Sequence, residues 1–278
     1  MSPRTWIALH AYHTGAVDGL VLAAARAAAE LGPWFFLRYW DGGPHVRVRV
    51  LTDDPGRASA ALRTALIEHL RRNPSTDWPS EKRYGLEAAA LAAAEGIVEH
   101  ARSPRAADTV HDEVYRPERR FGGPAARVAV ERHFVESTAL AVDVLRAASS
   151  PAVRSTTAAL ALLTTWSRCP TGARWVPTGP GSTPIPRAVV TAAQHPSPAG
   201  FAGRWAASLD RLDAVLIAQH GVEHARWVAD YAGHLLCNRL GIGPAEEASL
   251  RRGAHRAMED GEGAGGGVDE LAPAPPRR

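Results

Sequence analysis

The stretch Trp34-Phe-Phe-Leu-Arg-Tyr-Trp-Asp-Gly-Gly-Pro-His-Val-Arg-Val-Arg-Val50 decides the fold, because its pattern is that of a β-hairpin. An apolar run is followed by Asp41-Gly-Gly-Pro44, whose residue types favour a turn. In the second run, His45, Arg47 and Arg49 alternate with valines, so the basic side chains share one face of the strand and the valines the other. The valine face predicts packing of this strand on a hydrophobic core.

The basic face of the hairpin allows two interpretations. Like charges placed side by side repel each other and do not favour folding. Arginine side chains recognise carboxylates in a planar, bidentate manner, so an anion held between them explains the pattern. The alternative is a solvated face on an edge strand, where charges discourage aggregation. The hairpin alone leaves both interpretations open.

Composition bounds the class of protein. The chain has 278 residues, of which 45% are hydrophobic, and a formal net charge of +3. It is long enough for one large or two small domains with a real core. Its charges are scattered, unlike the blocks of a nucleic-acid-binding tail. The N-terminus has no signal-peptide pattern, no apolar stretch has the length of a membrane span, and Cys169 and Cys237 have no metal-site spacing, so we expect a cytoplasmic protein.

Hydrophobic periodicity and turn residues predict an α+β fold. The first half is expected to contain a strand at Trp6–Tyr12, a helix at Asp18–Leu31, the hairpin, helices ending near Arg72 and spanning Leu86–Arg102, and a strand at Val110–Arg116. This order is typical of a ferredoxin-like unit with a small, mostly antiparallel sheet. After Gly122-Gly123-Pro124 the apolar spacing is helical. We predict one domain over residues 1–259, with an α+β half (1–122) packed on a helical half (123–259), and a disordered tail over residues 260–278.

Two further clusters carry polar chemistry. In Tyr115-Arg-Pro-Glu-Arg-Arg120, the last arginine stands just before a Gly-Gly-Pro turn and a helix start, where backbone N–H groups favour anions. His234 and Asn238 are four residues apart and share a helix face, so the histidine is a candidate acid or base that the amide orients. The alternatives are surface arginines in a connecting loop and a core histidine at a helix end.

Other site types fit less well. His220, Glu223 and His224 form an H-x-x-E-H pattern, but a zinc site needs a third ligand. No phosphate-binding loop, dinucleotide fingerprint or G-x-S-x-G motif is present. We therefore predict neither a metal site nor a cofactor.

Taken together, the clusters resemble the C-terminal, glutamate-eliminating domain of class I lantibiotic dehydratases, which also exists as a stand-alone, thiopeptide-type bacteriocin biosynthesis protein. The matching residues lie between about 5 and 243. They are Trp34-Phe-Phe-Leu-Arg-Tyr-x-Asp, His45-x-Arg47-x-Arg49, Tyr115-x-Pro-Glu118-x-Arg120-Phe-Gly-Gly-Pro124, Glu131-x-x-Phe134-x-x-Ser137 and His234-x-x-x-Asn238-Arg239-Leu240.

The resemblance implies an activity and partners. In this family a separate domain or subunit uses glutamyl-tRNA to glutamylate Ser and Thr of a ribosomal precursor peptide, and the C-terminal domain eliminates glutamate to leave dehydroalanine or dehydrobutyrine. Carried over, the resemblance implies His234, Arg120, Arg47 and Arg49 as catalytic residues. It places Arg38, His45, Asn238 and Tyr115 at the substrate. The implied partners are the glutamylated peptide and the glutamylating subunit, with no direct nucleic-acid or membrane contact; whether the chain forms a homodimer stays open.

Two rival functions are compatible with the sequence. One is a thiopeptide pyridine synthase on the same fold, which joins two dehydroalanines by a formal aza-[4+2] cycloaddition and releases the leader peptide. The other is a non-catalytic module that binds a leader peptide, with strand Trp6–Tyr12 accepting it by β-augmentation. The basic hairpin, Arg120 and His234 favour elimination, because a cycloaddition needs no carboxylate clamp.

Overall fold

The N-terminal half is built on a four-stranded antiparallel sheet. The computed structural model describes residues 4–147, 150–168 and 175–265. The strands are β1 (Thr5–Tyr12), β2 (Trp34–Tyr39), β3 (His45–Thr52) and β4 (Thr109–Glu113), in the spatial order β2-β3-β1-β4. Helices α1 (Val17–Ala28), α2 (Pro55–Arg72) and α3 (Glu81–Glu95) complete this half. Element order and strand order are those of a ferredoxin-like unit, which confirms the predicted α+β class.

Capping residues set the ends of the helices in this half. The Asp54 side chain accepts a hydrogen bond from the Arg57 N–H, and Pro55 lies in the first turn of α2. The Ser80 side chain caps α3 in the same way, and Gly96 ends it at a φ of 67°, a left-handed conformation that favours glycine. Helix α3 therefore begins and ends earlier than the predicted span of Leu86–Arg102, because these caps outweigh the run of alanines.

The C-terminal half is helical, as predicted. Its helices are α4 (Pro124–Arg146), α5 (Pro151–Ser167), α6 (Arg187–Gln194), α7 (Phe201–His220), α8 (Val222–Leu240) and α9 (Pro244–Gly265). Helix α9 continues past the predicted start of the tail at residue 260. Residues 266–278 of that predicted tail lie outside the described residues.

The two faces of the sheet pack on different partners. Val46, Val48 and Val50 are buried against α1 and α2, as the alternation predicts. The opposite face meets the helical half through Phe35, which packs in one core with residues of α4 and α8. Strand β3 lies inside the sheet, so the interpretation of its basic face as a solvated edge is wrong.

Strand β1 is also an interior strand. It pairs with β3 on one side and with β4 on the other. Over Ala8–Tyr12 both rows of its backbone hydrogen-bonding groups are therefore occupied, so the alternative of a peptide that adds to this strand by β-augmentation is wrong there.

Side chains of the helical half cover the outer edge of β2. Asn238 accepts a hydrogen bond from the Arg38 N–H (2.9 Å) and donates to the Arg38 carbonyl (2.8 Å). The Arg239 Nε donates to the Phe36 carbonyl at 3.0 Å. These bonds satisfy an edge that would otherwise present unpaired backbone groups, and they join the two halves of the chain. Among the described residues, no helix combines the length and apolarity that crossing a bilayer requires.

Candidate active site

Arg47 is held in a fixed orientation on the basic face of β3. Its guanidinium lies 3.4 Å from the centroid of the Tyr39 ring, and its Nε donates to the His45 Nε2 at 3.1 Å. The His45 Nδ1 donates to the Gly43 carbonyl at 2.8 Å, which assigns the proton to that nitrogen. Burial, together with the neighbouring arginines, lowers the pKa of His45 to about 3, so the ring is neutral and accepts from Arg47. His45 therefore positions Arg47.

Arg49 lies deeper on the same face. Its guanidinium is 5.3 Å from the Phe35 ring centroid and 5.0 Å from that of Tyr115. Burial and the charge of Arg47 lower the pKa of Arg49 to about 10, so it stays a cation at neutral pH. Its Nε is buried without a hydrogen-bond partner among the described residues. The Tyr115 hydroxyl donates to Glu131 Oε1 at 2.8 Å, so this tyrosine acts on the site through its ring.

A third arginine, Arg239 of α8, adds charge beneath the site. It is fully buried, and within the described ranges both of its terminal nitrogens lack a hydrogen-bond partner. Burial and the nearby charge of Arg49 lower its pKa to about 9. A buried cation without a carboxylate partner is unfavourable. Arg47, Arg49 and Arg239 therefore create a positive potential that favours binding of an anion.

Arg120 approaches from the loop that joins the two halves. It lies on a short 3₁₀ turn, Arg119–Phe121, and forms an ion pair with Glu118. It donates to the Tyr231 hydroxyl at 2.6 Å and stacks 4.3 Å from the centroid of that ring. The Tyr231 ring centroid is in turn 5.4 Å from that of His234. Tyr231 thus connects Arg120 with His234.

His234 on α8 is oriented by a buried carboxylate. Its Nδ1 lies 2.8 Å from Glu247 Oε2, while Glu247 Oε1 accepts from the Arg251 Nε at 2.8 Å. Burial raises the pKa of Glu247, but the hydrogen bonds and charges of His234 and Arg251 lower it by more, so it lies below its usual value. An ionised carboxylate only accepts hydrogen bonds, which assigns a proton to Nδ1, so that the neutral form of the ring carries its lone pair on Nε2. This is the arrangement of a general base held by a carboxylate.

One cavity borders the histidine and the end of β2, whereas Arg47, Arg49 and Arg120 do not line it. It has a volume of about 340 Å³ and lies between the end of β2 and helices α8 and α9. His234 and Tyr39, the stacking partner of Arg47, both line it. The remaining lining residues are Leu37, Arg38, Trp40, Leu91, Leu235, Asn238, Gly241, Ile242, Gly243, Pro244 and Glu247.

The structure separates two candidate residues from the basic face. Arg38 pairs with Val46 in the sheet, so its side chain lies on the valine face, where it binds Asp18 at 2.6 Å and the Arg239 carbonyl. Asn238 uses both amide atoms on the Arg38 backbone, so it does not orient His234. Both border the cavity, but their polar groups hold β2 in place.

Sequence reasoning missed four residues of this region. Glu247 and Tyr231 carried no motif signal, and Tyr39 and Arg239 stood inside quoted motifs without an assigned role. Glu247 reaches His234 only because α9 packs back on α8, which local patterns do not reveal. In the part of the chain that the structure covers, no group of three or more His, Cys, Asp or Glu residues is placed to hold a metal ion.

Known proteins share this sequence pattern and fold. The family described as the C-terminal part of the lantibiotic biosynthesis dehydratases matches residues 6–258. Among solved structures, the pyridine synthase TbtD from thiomuracin biosynthesis has a TM-score of 0.72 and 20% identity, over 93% of this chain and 99% of that one.

Two further structures are similar. One is the tRNA-dependent lantibiotic dehydratase MibB from Microbispora sp. 107891, with a TM-score of 0.59, 19% identity and coverage of 96% of this chain but 29% of that protein. The other is TsrL, with a TM-score of 0.56, 14% identity and coverage of 94% and 96%. No curated protein matches the sequence. At these identities the solved structures show a shared fold, while the family match extends over most of the sequence. The chain therefore belongs to the C-terminal family of lantibiotic biosynthesis dehydratases.

Proposed function

We propose that this chain is the stand-alone elimination subunit of a split dehydratase. It removes glutamate from glutamylated Ser or Thr residues of a precursor peptide and leaves dehydroalanine or dehydrobutyrine. A separate subunit that uses glutamyl-tRNA supplies the glutamylated peptide. The observation that carries the proposal is the His234–Glu247 pair, which borders the same cavity as the stacking partner of Arg47.

The chemistry of the elimination matches these groups. The His234 Nε2 takes the proton from the α-carbon of the esterified residue, and the Glu247 carboxylate stabilises the imidazolium that results. The electron pair of the broken C–H bond forms the Cα–Cβ double bond as the Cβ–O bond breaks. The ester oxygen leaves with glutamate as a carboxylate.

The arginines bind the negative charges of the glutamyl group. Glutamate attached through one carboxyl keeps the other one free, and planar guanidinium groups bind such a carboxylate with two hydrogen bonds. Arg47 and Arg49 from β3 and Arg120 from the connecting loop act on this group and on the departing carboxylate. Because Arg47 and Arg49 are partly buried, this stabilisation is stronger than it is in water.

The pyridine synthase TbtD is the reason to keep a second candidate. Its fold agrees with this chain over nearly the whole of both proteins. A shared fold does not transfer an activity, however, since function resides in the site. A cycloaddition releases no glutamate, so it leaves the group of arginines without a role.

A purified-protein assay separates the two functions. The substrate is a synthetic peptide with a glutamyl ester on one serine, and mass spectrometry follows the loss of glutamate. We expect elimination by the wild type, and accumulation of intact ester with His234→Ala and with Arg120→Ala. Arg119→Ala, an exposed neighbour in the same turn, is the matched control and is expected to eliminate at the wild-type rate.

Two outcomes of this assay would contradict the proposal. If the wild type leaves the ester intact but cyclises a multiply dehydrated peptide and releases its leader, the chain is a pyridine synthase. If Arg120→Ala eliminates as fast as the wild type, the carboxylate clamp is wrong.

A further inference from the structure

Five aromatic rings form a continuous row on one face of α8. We name the row formed by His220, at the end of α7, with His224, Trp227, Tyr231 and His234 of α8 the aromatic ridge. Successive ring centroids are 4.9, 5.9, 5.6 and 5.4 Å apart. Within α8, the spacing of three and four residues keeps the last four side chains on one side of the helix.

The aromatic ridge lies at the margin of the core, against which Tyr231 packs. The side of α8 that faces the core carries small and branched apolar residues instead: Ala225, Val228, Ala229 and Ala232 are buried. Trp227 is 41% exposed, although an indole of this size contributes most to stability when it is buried. Covering the core therefore accounts for Tyr231 but does not explain the exposed indole of Trp227.

The Trp227 ring is exposed and fixed at the same time. It stacks on Tyr231 with an angle of 9° between the ring planes, and Phe121 supports it from below at 6.2 Å. The Arg120 guanidinium lies 5.9 Å from its centroid. A rigid, exposed aromatic ring is typical of a binding anchor, because little side-chain entropy is lost when a partner packs on it.

The ridge leads from the surface to the catalytic histidine. Ten residues of α8 separate His224 from His234, which corresponds to about 15 Å along the helix. An extended peptide covers that distance with about five residues. A chain whose reacting residue lies at His234 therefore passes over Trp227 when it follows this face.

We propose that the aromatic ridge binds the substrate peptide on one side of the reacting residue, with an aromatic side chain of the peptide stacked on Trp227. This inference rests on the proposed function for the position of the reacting residue. The recognition itself is physical, because an indole face and an aromatic side chain stack favourably and exclude water from each other.

A binding experiment tests the ridge independently of catalysis. The probes are unmodified peptides of about twelve residues around a central serine, with either phenylalanine or alanine at the third, fourth and fifth positions on each side in turn. Isothermal titration with the full chain is expected to give about tenfold tighter binding for phenylalanine on one side only. Trp227→Leu, which keeps apolar bulk without a ring, is expected to lose this preference, and Trp227→Phe to keep most of it.

Controls distinguish a loss of binding at the ridge from a general loss of structure. Val222→Ala removes another exposed side chain of α8 and is expected to leave the preference unchanged. A glutamylated serine with blocked ends, too short to reach Trp227, is expected to react equally with the wild type and Val222→Ala. If Trp227→Leu keeps the phenylalanine preference, or if the wild type shows none, the inference is wrong. If no glutamylated substrate loses glutamate, the proposed function is wrong. The titration still shows in that case whether the ridge binds an aromatic side chain.

Discussion

Arg47 shows how one residue on a strand becomes a defined recognition group. Tyr39 fixes the plane of its guanidinium and neutral His45 fixes its Nε, so the terminal nitrogens stay available. Lysine keeps the charge but has neither the plane nor the Nε. We expect Arg47→Lys to lower kcat/KM for the glutamylated peptide by about 10²-fold, a loss of roughly 3 kcal/mol of transition-state binding.

Steady-state kinetics by mass spectrometry measures this loss. The control is Arg26→Lys on the exposed side of α1, which is expected to leave kcat/KM unchanged. Wild-type kinetics for Arg47→Lys would show that only the charge matters, and the planar clamp would have to be abandoned.

The carboxylate charge of Glu247 is expected to stabilise the protonated form of His234 during the reaction. In Glu247→Gln the amide no longer stabilises the imidazolium of His234, so we expect kcat to fall by about 10²-fold or more. Glu246→Gln, the adjacent substitution on α9, is the control and is expected to keep the wild-type rate. A Glu247→Gln enzyme with the wild-type rate would show that His234 needs no carboxylate.

The same variant has a defined dependence of stability on pH. The pKa of Glu247 lies below its ordinary value of 4.5 in the folded chain. Its ionised form therefore stabilises the fold above about pH 4.5, and this contribution is lost as the pH falls through the lower, folded pKa. We expect the difference in Tm between wild type and Glu247→Gln to be constant above pH 6 and to shrink below pH 4.5, as measured by circular dichroism. A difference that grows on acidification would contradict this sign.

At the scale of elements, local patterns predicted the strands and helices better than their register. Alternation on β3 and the Gly–Pro punctuation of helix ends are local signals, and most predicted spans match to within a few residues. The face on which Arg38 lies was not predictable, because the hairpin register depends on where the turn closes. Tyr39 pairs with His45, so Arg38 pairs with Val46 and shares the valine face.

The edge of β2 depends on one side chain of α8. Asn238 makes two hydrogen bonds with the Arg38 backbone, and its loss leaves a backbone N–H and a carbonyl without partners at a partly buried edge. We expect Asn238→Ala to lower the free energy of unfolding by about 2 kcal/mol and Tm by roughly 4–8 °C. Urea unfolding followed by tryptophan fluorescence measures the change. Asn73→Ala is a matched control, since Asn73 only caps the end of α2. If Asn73→Ala lowers the free energy of unfolding as much as Asn238→Ala does, the edge contacts of Asn238 are not the cause of the loss.

At the scale of the whole molecule, the site draws on segments that are far apart in the sequence. Arg47, Arg120 and His234 were recognisable because each stands in a local motif. Glu247 and Arg239 were not, because their roles follow from how α9 packs on α8 and how α8 packs on the sheet. A single sequence carries no direct record of such long-range packing, so it indicated Arg47, Arg120 and His234 as candidates but not the contacts of Glu247 and Arg239.

The shared core predicts that the two halves unfold together. Phe35 of β2 packs with Phe134 of α4, and Arg239 of α8 binds the Phe36 carbonyl, so separating the halves exposes apolar surface and leaves buried polar groups unpaired. We expect differential scanning calorimetry of the full chain to give one transition whose calorimetric and van't Hoff enthalpies agree. Asn238→Ala is expected to shift that transition to lower temperature without splitting it. Two resolved transitions would show instead that residues 1–122 and 123–259 are separate domains, and the site between β3 and α8 would then depend on how two independent units dock.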